Sequence, residues 1–201
     1  MSRPSPALDA WHADLARCGE RSFLREQSIW AITVYRFGAW ADERRSAVAR
    51  RVLDRLYWPL FRITEVLTGV SFTKRTSIGP GLRIHHFGNI FVNERSRIGA
   101  DCTLRQGVTI GSVDDDGPAP VLGDRVELGA YAQVLGGVIV GDDARVGAMS
   151  VVLADVPAGC TVAGAPARVV SGGPDAPSAS PPTHTSLPHP GAAVRTRLPN
   201  R

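Results

Sequence analysis

An aliphatic residue returns every six positions between residues 78 and 152. The twelve positions of this repeat are Ile78, Ile84, Ile90, Ile98, Leu104, Ile110, Leu122, Leu128, Val134, Val140, Val146 and Val152. The period is interrupted twice, by a two-residue shift after Ile90 and by a longer break after Ile110. Helices repeat every 3.6 residues and amphipathic strands every two, so neither alone produces this pattern. One short strand and one tight turn fill six residues, and three such units form one coil of a triangular β-solenoid. A β-sandwich with chance spacing is the weaker alternative.

Composition limits the class of protein. The 201 residues are 43% hydrophobic, which is enough for one core domain with appendages. The net charge of +4 is spread along the chain, and no basic stripe is interleaved with aromatic residues, so nucleic-acid binding is not expected. The three cysteines are widely spaced and form neither a disulfide framework nor a metal pattern, which indicates a reducing cytoplasm. The N-terminus has no apolar core of a signal peptide.

Three regions follow from the patterning. Residues 1–70 are predicted to be helical, with helices over 7–18, 22–43 and 46–68, and Ser22 is the expected cap of the second. Pro59 is expected to kink or divide the third helix, and Gly69 to end it. Residues 71–170 form the solenoid. Residues 171–201 are rich in Pro, Ser and Gly, and are predicted to be disordered.

The third helix raises the question of membrane contact. It carries Tyr57, Trp58 and Phe61 among aliphatic residues, but Arg62 and Glu65 leave its uncharged runs too short to span a bilayer. An interfacial helix is one interpretation. A helix packed on the solenoid or on another subunit is the favoured one.

Two adjacent histidines depart from the repeat. His85 takes the place that glycine usually fills after the aliphatic residue, and His86 follows it. Successive residues of a strand point to opposite faces, so one of the two should face outward. Histidine is well suited to accept a proton from a hydroxyl near neutral pH. A surface residue or a packed turn residue remains the alternative for each.

The break in the repeat is the second exception. Residues 111–120 leave the six-residue register and contain Asp114, Asp115 and Asp116. Excursions from a regular scaffold often carry function. Consecutive carboxylates diverge and lack the alternating spacing of a calcium loop, so a solvated acidic turn is favoured and no metal is expected.

A resemblance to the hexapeptide-repeat acyltransferases, in their serine acetyltransferase-like branch, covers about residues 28–170. It is carried by IGPGLRIHHFGNIFVNERSRIGADCTLRQGVTIG, by VLGDRVELGAYAQVLGGVIVGDDARVGAMSVVLADVPAGCTVAGAPARVV and by the closing AGAPARVV. The upstream YRFGAW, the arginine-rich helix after it and the sequence IHH are similar to the colanic-acid acetyltransferases, which acetylate bacterial exopolysaccharides.

The resemblance implies a left-handed parallel β-helix with an N-terminal helical region, and a homotrimer with each active site between two solenoids. It implies acetyl-CoA as co-substrate and a hydroxyl-bearing acceptor. The family's catalytic base corresponds to His86, and His85 takes the position of the serine enzymes' aspartate. The cofactor-binding positions that it implies are Gly111, Ala130, Ala148, Ala165 and Arg168.

Departures from the serine enzymes bear on the acceptor. Those enzymes carry an aspartate some fifteen residues before the base, where this chain has Ser71. They also carry a second histidine in the loop that corresponds to residues 116–120, where this chain has none. A sugar hydroxyl in exopolysaccharide biosynthesis, on a lipid-linked intermediate at the inner membrane face, is therefore the expected acceptor. L-serine in cysteine biosynthesis is the alternative.

Two other classes remain open. A non-catalytic solenoid would keep the prism without the chemistry, and His86 together with AGAPAR argues against it. A carbonic-anhydrase-like solenoid needs three histidines that converge across a trimer interface, whereas only His85 and His86 lie in the repeats.

Overall fold

Three helices precede the solenoid in the computed structural model, which describes residues 5–18, 26–86 and 88–172. They are α1 (Pro6–Cys18), α2 (Ser28–Asp42) and α3 (Ala47–Thr68). The bounds predicted for α3 are confirmed. The Ser46 side chain accepts a hydrogen bond from the backbone N–H of Ala49, which caps the first turn. Gly69 adopts a left-handed conformation with φ of 62° and ends the helix.

The structure corrects the predicted start of the second helix, and it rules out that Pro59 divides the third, so that a kink stays a prediction. Helix α2 begins at Ser28 and not at residue 22, since residues 26 and 27 are not helical, and Ser22 itself lies outside the described residues. The hydroxyl of Ser28 donates instead to the buried carbonyl of Ile84, so tertiary contact with the solenoid sets this end. Pro59 does not divide α3. Both Pro59 and Arg55 are exposed, so the Arg55 carbonyl that proline leaves without an N–H partner lies on the solvent side.

Fifteen short strands form the solenoid in the described residues. In chain order they are β1 (Val70–Ser71), β2 (Ser77–Ile78), β3 (Arg83–His85), β4 (Ile90–Val92), β5 (Arg97–Ile98), β6 (Thr103–Arg105), β7 (Thr109–Gly111), β8 (Val121–Leu122), β9 (Glu127–Leu128), β10 (Gln133–Leu135), β11 (Ile139–Val140), β12 (Arg145–Val146), β13 (Val151–Val152), β14 (Thr161–Ala163) and β15 (Arg168–Ser171). Sheet A runs β1-β4-β7-β10-β13, sheet B runs β2-β5-β8-β11, and sheet C runs β3-β6-β9-β12-β14-β15. All pairings are parallel except that of β14 with β15. Every third strand therefore returns to the same face, as the triangular solenoid requires.

The six-residue repeat forms the core of the prism. All twelve aliphatic positions are buried, none more than 7% exposed. They stack in register between coils, as in the column of Ile84, Leu104, Leu128 and Val146 on sheet C. Such a column removes aliphatic surface from water along the whole axis, at about 25 cal/mol for each Å² buried.

The structure shows where in the solenoid the two interruptions of the repeat lie. The two-residue shift lies in β4, where Ile90 pairs with Val70 and Val92 pairs with Ile110. Ile90 and Val92 are both buried, while Phe91 between them is exposed. The longer break is a loop over residues 112–120, which leaves the prism between β7 on sheet A and β8 on sheet B.

A buried ion pair joins the helices to the first coil. Arg36 of α2 donates to both carboxylate oxygens of Asp14 of α1, at 2.7 and 3.1 Å. Its guanidinium also donates to the carbonyls of Ile78 and Gly79, and the carboxylate accepts from the N–H of Leu82. The helical region is thus fixed to the strands that lead to His85. No helix in the described ranges has the length and apolar character needed to cross a membrane.

Candidate active site

The two histidines lie where sheet C turns toward sheet A. His85 ends β3 and is half-buried, whereas His86 follows in the turn, is exposed and has φ of 60°. The expectation that one of them faces outward is confirmed. A left-handed conformation is uncommon for a residue with a Cβ, so the coil holds His86 in a constrained turn rather than on a strand. Its imidazole is accessible to a bound molecule.

Positive charge surrounds His85. It pairs in register with Arg105 of β6, and Arg83 lies two residues before it on the same outer face of β3. Burial, and then the charges of Arg83 and Arg105, lower the pKa of His85, and Glu26 opposes the shift. The imidazole of His85 is therefore held neutral at pH 7, next to guanidinium groups that can attract an anion.

Small residues share a corner with His86. The in-register column of sheet C puts Gln106, Ala130 and Ala148 on successive coils above His86. The N–H of Tyr131 donates to the Gln106 carbonyl and that of Met149 to the Ala130 carbonyl, each at 2.8 Å. We call this edge, defined by residues 86, 106, 130 and 148, the His86 corner. With coils about 4.8 Å apart, Ala130 and Ala148 lie roughly 10 and 14 Å along the axis from His86.

A groove of about 380 Å³ lies beside this corner. Its walls include Arg105, Ala130, Ala148 and the two glycines that precede the alanines, Gly129 and Gly147. A Cβ on Gly129 would lie 2.5 Å from the backbone nitrogen of Ala148, so only glycine permits the coils to stack here. The glycines therefore form a flat strip of wall for an extended chain, with Arg105 at the end nearest His85. The paired side chains of Glu127 and Arg145 also line the groove.

The other expected cofactor positions separate into two places. Ala165 is exposed and follows Gly164 at the last coil of the His86 corner, and Arg168 is exposed on β15, in register with Ala163. Gly111 instead ends β7 and pairs with Leu135, on the far edge of sheet A. Within one chain, the structure therefore brings Ala130, Ala148 and Ala165 to one edge and leaves Gly111 on another.

The loop over 112–120 folds back against the solenoid. Asn93 donates to the hydroxyl of Ser112 at 3.2 Å, and Arg95 donates to the carbonyl of Asp115 at 2.5 Å. A Cβ on Gly137 would lie 2.8 Å from the Pro118 ring, so the loop packs closely on the next coil. The three consecutive aspartates are exposed. In the part of the chain that the structure describes, no three His, Cys, Asp or Glu residues are grouped to hold a metal ion.

Sequence reasoning missed one carboxylate near the site. The Ser71 hydroxyl donates to Oε1 of Glu65, at the end of α3. This end abuts the histidine turn, since the N–H of Ile90 donates to the Gly69 carbonyl at 2.9 Å. A Cβ on Gly69 would also lie 3.0 Å from the backbone nitrogen of Asn89. The six-residue separation of Glu65 and Ser71 was visible in the sequence, but their contact depends on how α3 meets β1.

Comparisons with known proteins agree with this arrangement. A family profile described as bacterial transferase hexapeptide (six repeats) matches residues 119–154. The serine acetyltransferase of Helicobacter pylori is 37% identical over 145 residues, covering 71% of this chain and 81% of that enzyme. The serine acetyltransferase of Synechococcus elongatus is 35% identical over 157 residues, covering 77% of this chain and 62% of that enzyme. A solved serine acetyltransferase in complex with cysteine superposes with a TM-score of 0.71 at 30% identity, covering 82% of this chain and 70% of that one.

A left-handed parallel β-helix with a helical N-terminal region is thus confirmed as the fold. The chain belongs to the hexapeptide-repeat transferase family, among relatives that are serine acetyltransferases, and it is an acetyltransferase. The expected similarity to colanic-acid acetyltransferases stays a prediction. The relatives favour the alternative acceptor, L-serine, over the sugar hydroxyl.

Proposed function

We propose that this protein transfers the acetyl group of acetyl-CoA to a hydroxyl, with His86 as the general base, and that L-serine is its first candidate acceptor. The single observation that carries the mechanism is the exposed His86 on the corner that it shares with Ala130 and Ala148, which line the groove. In this reaction His86 takes the proton of the acceptor hydroxyl, and the oxygen attacks the thioester carbon. The C–S bond then breaks, and the imidazolium returns the proton to the departing thiolate. A positioned base of this kind contributes roughly 10²–10⁴ in rate.

The groove beside the His86 corner suits the pantetheine arm. The arm is extended and narrow, and Ala130 and Ala148 leave room for it against backbone. Arg168 is exposed near the last coil, and in this proposal it meets a phosphate of the nucleotide. The thioester would then lie toward His86, where the acceptor meets it.

The relatives support L-serine as the acceptor because the matched enzymes are serine acetyltransferases. The charge of the site is compatible with this choice. Arg105 beside His85 gives the acceptor end of the groove a cation that could hold a carboxylate.

A sugar hydroxyl of an exopolysaccharide precursor is the second candidate. It is favoured by Ser71 in place of an aspartate, and by residues 112–120, which contain no histidine. His85 also replaces a carboxylate with a neutral imidazole. These changes remove groups that the serine enzymes place around their acceptor. A saccharide offers many hydroxyls as acceptors, and its binding does not depend on those groups.

The proposal includes a homotrimer and a cytoplasmic location. Gly111 lies on a different edge of the prism from Ala148. A neighbouring solenoid that presented its own Gly111 edge to the His86 corner would unite both walls of the cofactor site. Sedimentation of the purified chain should then give three copies, and a monomer that is fully active would contradict this part.

The test is thiol release from acetyl-CoA by the purified full chain, with L-serine beside a panel of sugars and sugar-lipids. His86→Ala is the informative variant. His12→Ala, an exposed histidine on α1, is the matched control. We expect His86→Ala to lose at least a hundredfold in kcat while it still binds CoA in calorimetry, and His12→Ala to keep wild-type turnover.

The outcomes separate the candidates. Turnover with serine alone supports the cysteine pathway, and turnover with saccharides alone supports exopolysaccharide assembly. Unchanged turnover in His86→Ala would contradict the assignment of the base. No turnover together with no CoA binding would leave a structural solenoid as the better account.

A further inference from the structure

Helix α3 carries an exposed aliphatic stripe along most of its length. Its members recur at intervals of three or four residues, with two adjacent members at the last step, which places them on one face. They are Val48, Val52, Leu56, Leu60, Ile63, Val66 and Leu67, and we call them the α3 stripe. Their exposed fractions run from 37% for Leu60 to 84% for Val66. A contiguous apolar patch of this kind on a folded protein marks an interaction surface.

The opposite face of α3 already satisfies its packing. Tyr57, Phe61 and Thr68 are buried there, and the Tyr57 hydroxyl accepts a hydrogen bond from the backbone of Lys74. The favoured expectation, a helix packed on the solenoid or on another subunit, is thus met on this face alone. The α3 stripe lies outside that contact, since its side chains stay exposed in the described part of the chain.

The charges beside the α3 stripe indicate what covers it. Arg51, Arg55 and Arg62 are exposed and follow one another at four- and seven-residue spacing, which forms a row along one edge of the stripe. Of the two acids of the helix, Asp54 pairs with Lys74, whereas Glu65 accepts from Ser71 and also pairs with Arg62 of the row at 2.7 Å. Three arginines against one paired carboxylate leave this edge of the stripe with a net positive charge.

An anionic bilayer surface complements this arrangement better than a second copy does. The helix contains four arginines and two acids, so two copies joined through this face would bring like charges together. A basic, amphipathic helix lies in the plane of the interface, with its aliphatic side among the acyl chains and its arginines at the headgroups. At 22 residues, α3 offers about 33 Å of such contact.

We propose that the α3 stripe and its arginine row bind the surface of a membrane that contains anionic lipids, with α3 lying in the interface plane. This surface acts independently of acetyl transfer, and either could fail without the other. It bears on the site all the same, because the end of α3 abuts the turn that holds His86, through Gly69 and Asn89. A protein bound in this way would hold its active site close to the lipid surface.

The experiment is flotation of the full chain with vesicles of phosphatidylcholine, alone or mixed with phosphatidylglycerol. The double variant Leu56→Glu, Ile63→Glu disrupts the α3 stripe. The double variant Arg51→Gln, Arg55→Gln removes charge from the arginine row and leaves the α3 stripe unchanged. Ile139→Glu is the matched control, because Ile139 is equally exposed, on sheet B of the solenoid. Circular dichroism and light scattering on each variant report folding and the number of copies.

We expect the wild type to float with the mixed vesicles and to be released by salt. The glutamate pair should abolish flotation, the glutamine pair should reduce it roughly tenfold, and Ile139→Glu should float like the wild type. Failure of the wild type to float with mixed vesicles, or equal flotation with both lipid compositions, would overturn the proposal. The proposal would also be overturned if the wild type were an oligomer and the double variant Leu56→Glu, Ile63→Glu were a monomer, because the α3 stripe would then join copies of the chain.

Discussion

The hydroxyl of Ser71 donates a hydrogen bond to the carboxylate of Glu65, and this joins the last turn of α3 to the first strand of the solenoid. Ser71 stands fifteen residues before His86, at the position that the resemblance assigns to an aspartate in serine acetyltransferases. A carboxylate of α3, which also pairs with Arg62, is therefore hydrogen-bonded to the residue at this position. The end of α3 that carries this carboxylate contacts the histidine turn, because the N–H of Ile90 donates to the Gly69 carbonyl.

Replacement of Glu65 by Gln tests this neighbour. The variant keeps the shape but loses the charge that would stabilise an imidazolium at His86. A loss of about 1.4 kcal/mol of charge interaction lowers kcat about tenfold. We expect kcat to fall by that amount and the KM for acetyl-CoA to stay unchanged. Glu94→Gln, a change at an exposed acid, is the control, and equal effects in both variants would contradict the role of Glu65.

A bulky side chain at the His86 corner should obstruct the cofactor. Ala148 is exposed on the groove wall, so Ala148→Trp fills the space proposed for pantetheine without disturbing the core. We expect the KM for acetyl-CoA to rise roughly tenfold or more, since each tenfold corresponds to only about 1.4 kcal/mol of lost binding. Ala154→Trp is the control at an exposed position before Asp155. Steady-state kinetics decide, and an unchanged KM in Ala148→Trp would place the cofactor elsewhere.

The charge of Arg105 should be measurable at His85. Because burial and the neighbouring arginines lower the pKa of His85, Arg105→Gln should raise it toward 6.5. An NMR titration of the imidazole proton signals measures this directly, with Arg97→Gln on sheet B as the control. An unshifted His85 signal in Arg105→Gln would show that the two side chains do not interact.

The same pKa shift predicts the pH dependence of folding. The folded pKa of His85 lies below its unfolded value of 6.5, so between the two the unfolded chain binds more protons. The resulting stability is fully present above pH 6.5 and is lost as the pH falls through the folded pKa. His85→Gln should therefore flatten the stability profile in that window. Urea unfolding at several pH values checks the slope, and a variant with the wild-type slope would contradict the assignment.

The Asp14–Arg36 pair should contribute strongly to stability. Asp14 is fully buried and Arg36 is 6% exposed, so Asp14→Ala leaves a guanidinium buried without its counter-ion. Removal of one partner of such a pair costs about 3–5 kcal/mol in free energy of unfolding. Chemical denaturation measures the loss. Asp14→Leu combined with Arg36→Met should recover most of it, because no unpaired charge remains, and a double variant as unstable as the single one would contradict this explanation.

Local pattern was sufficient for the solenoid and for α3. The six-residue return of Ile, Leu and Val depends only on neighbours along the chain, and each of those residues is buried as the period requires. The bounds of α3 also follow from local chemistry, because Ser46 caps its start and Gly69 ends it. The candidate histidines were visible for the same reason, since they interrupt a regular repeat.

Tertiary structure decided the rest, because it depends on contacts between residues that are not neighbours in sequence. Coil length varies, so only the register shows that Ala148 shares the His86 corner and that Gly111 does not. The hydrophobic pattern allowed either Ile90 or Val92 to continue the column, and the strand pairing uses both. Helical periodicity gave α3 its apolar residues, but only packing showed that Tyr57 and Phe61 take the inner face and that the α3 stripe faces solvent. The six-residue repeat specifies which residues occupy equivalent positions in the coils. The lengths of the coils and the packing of the helices specify which of these residues contact one another.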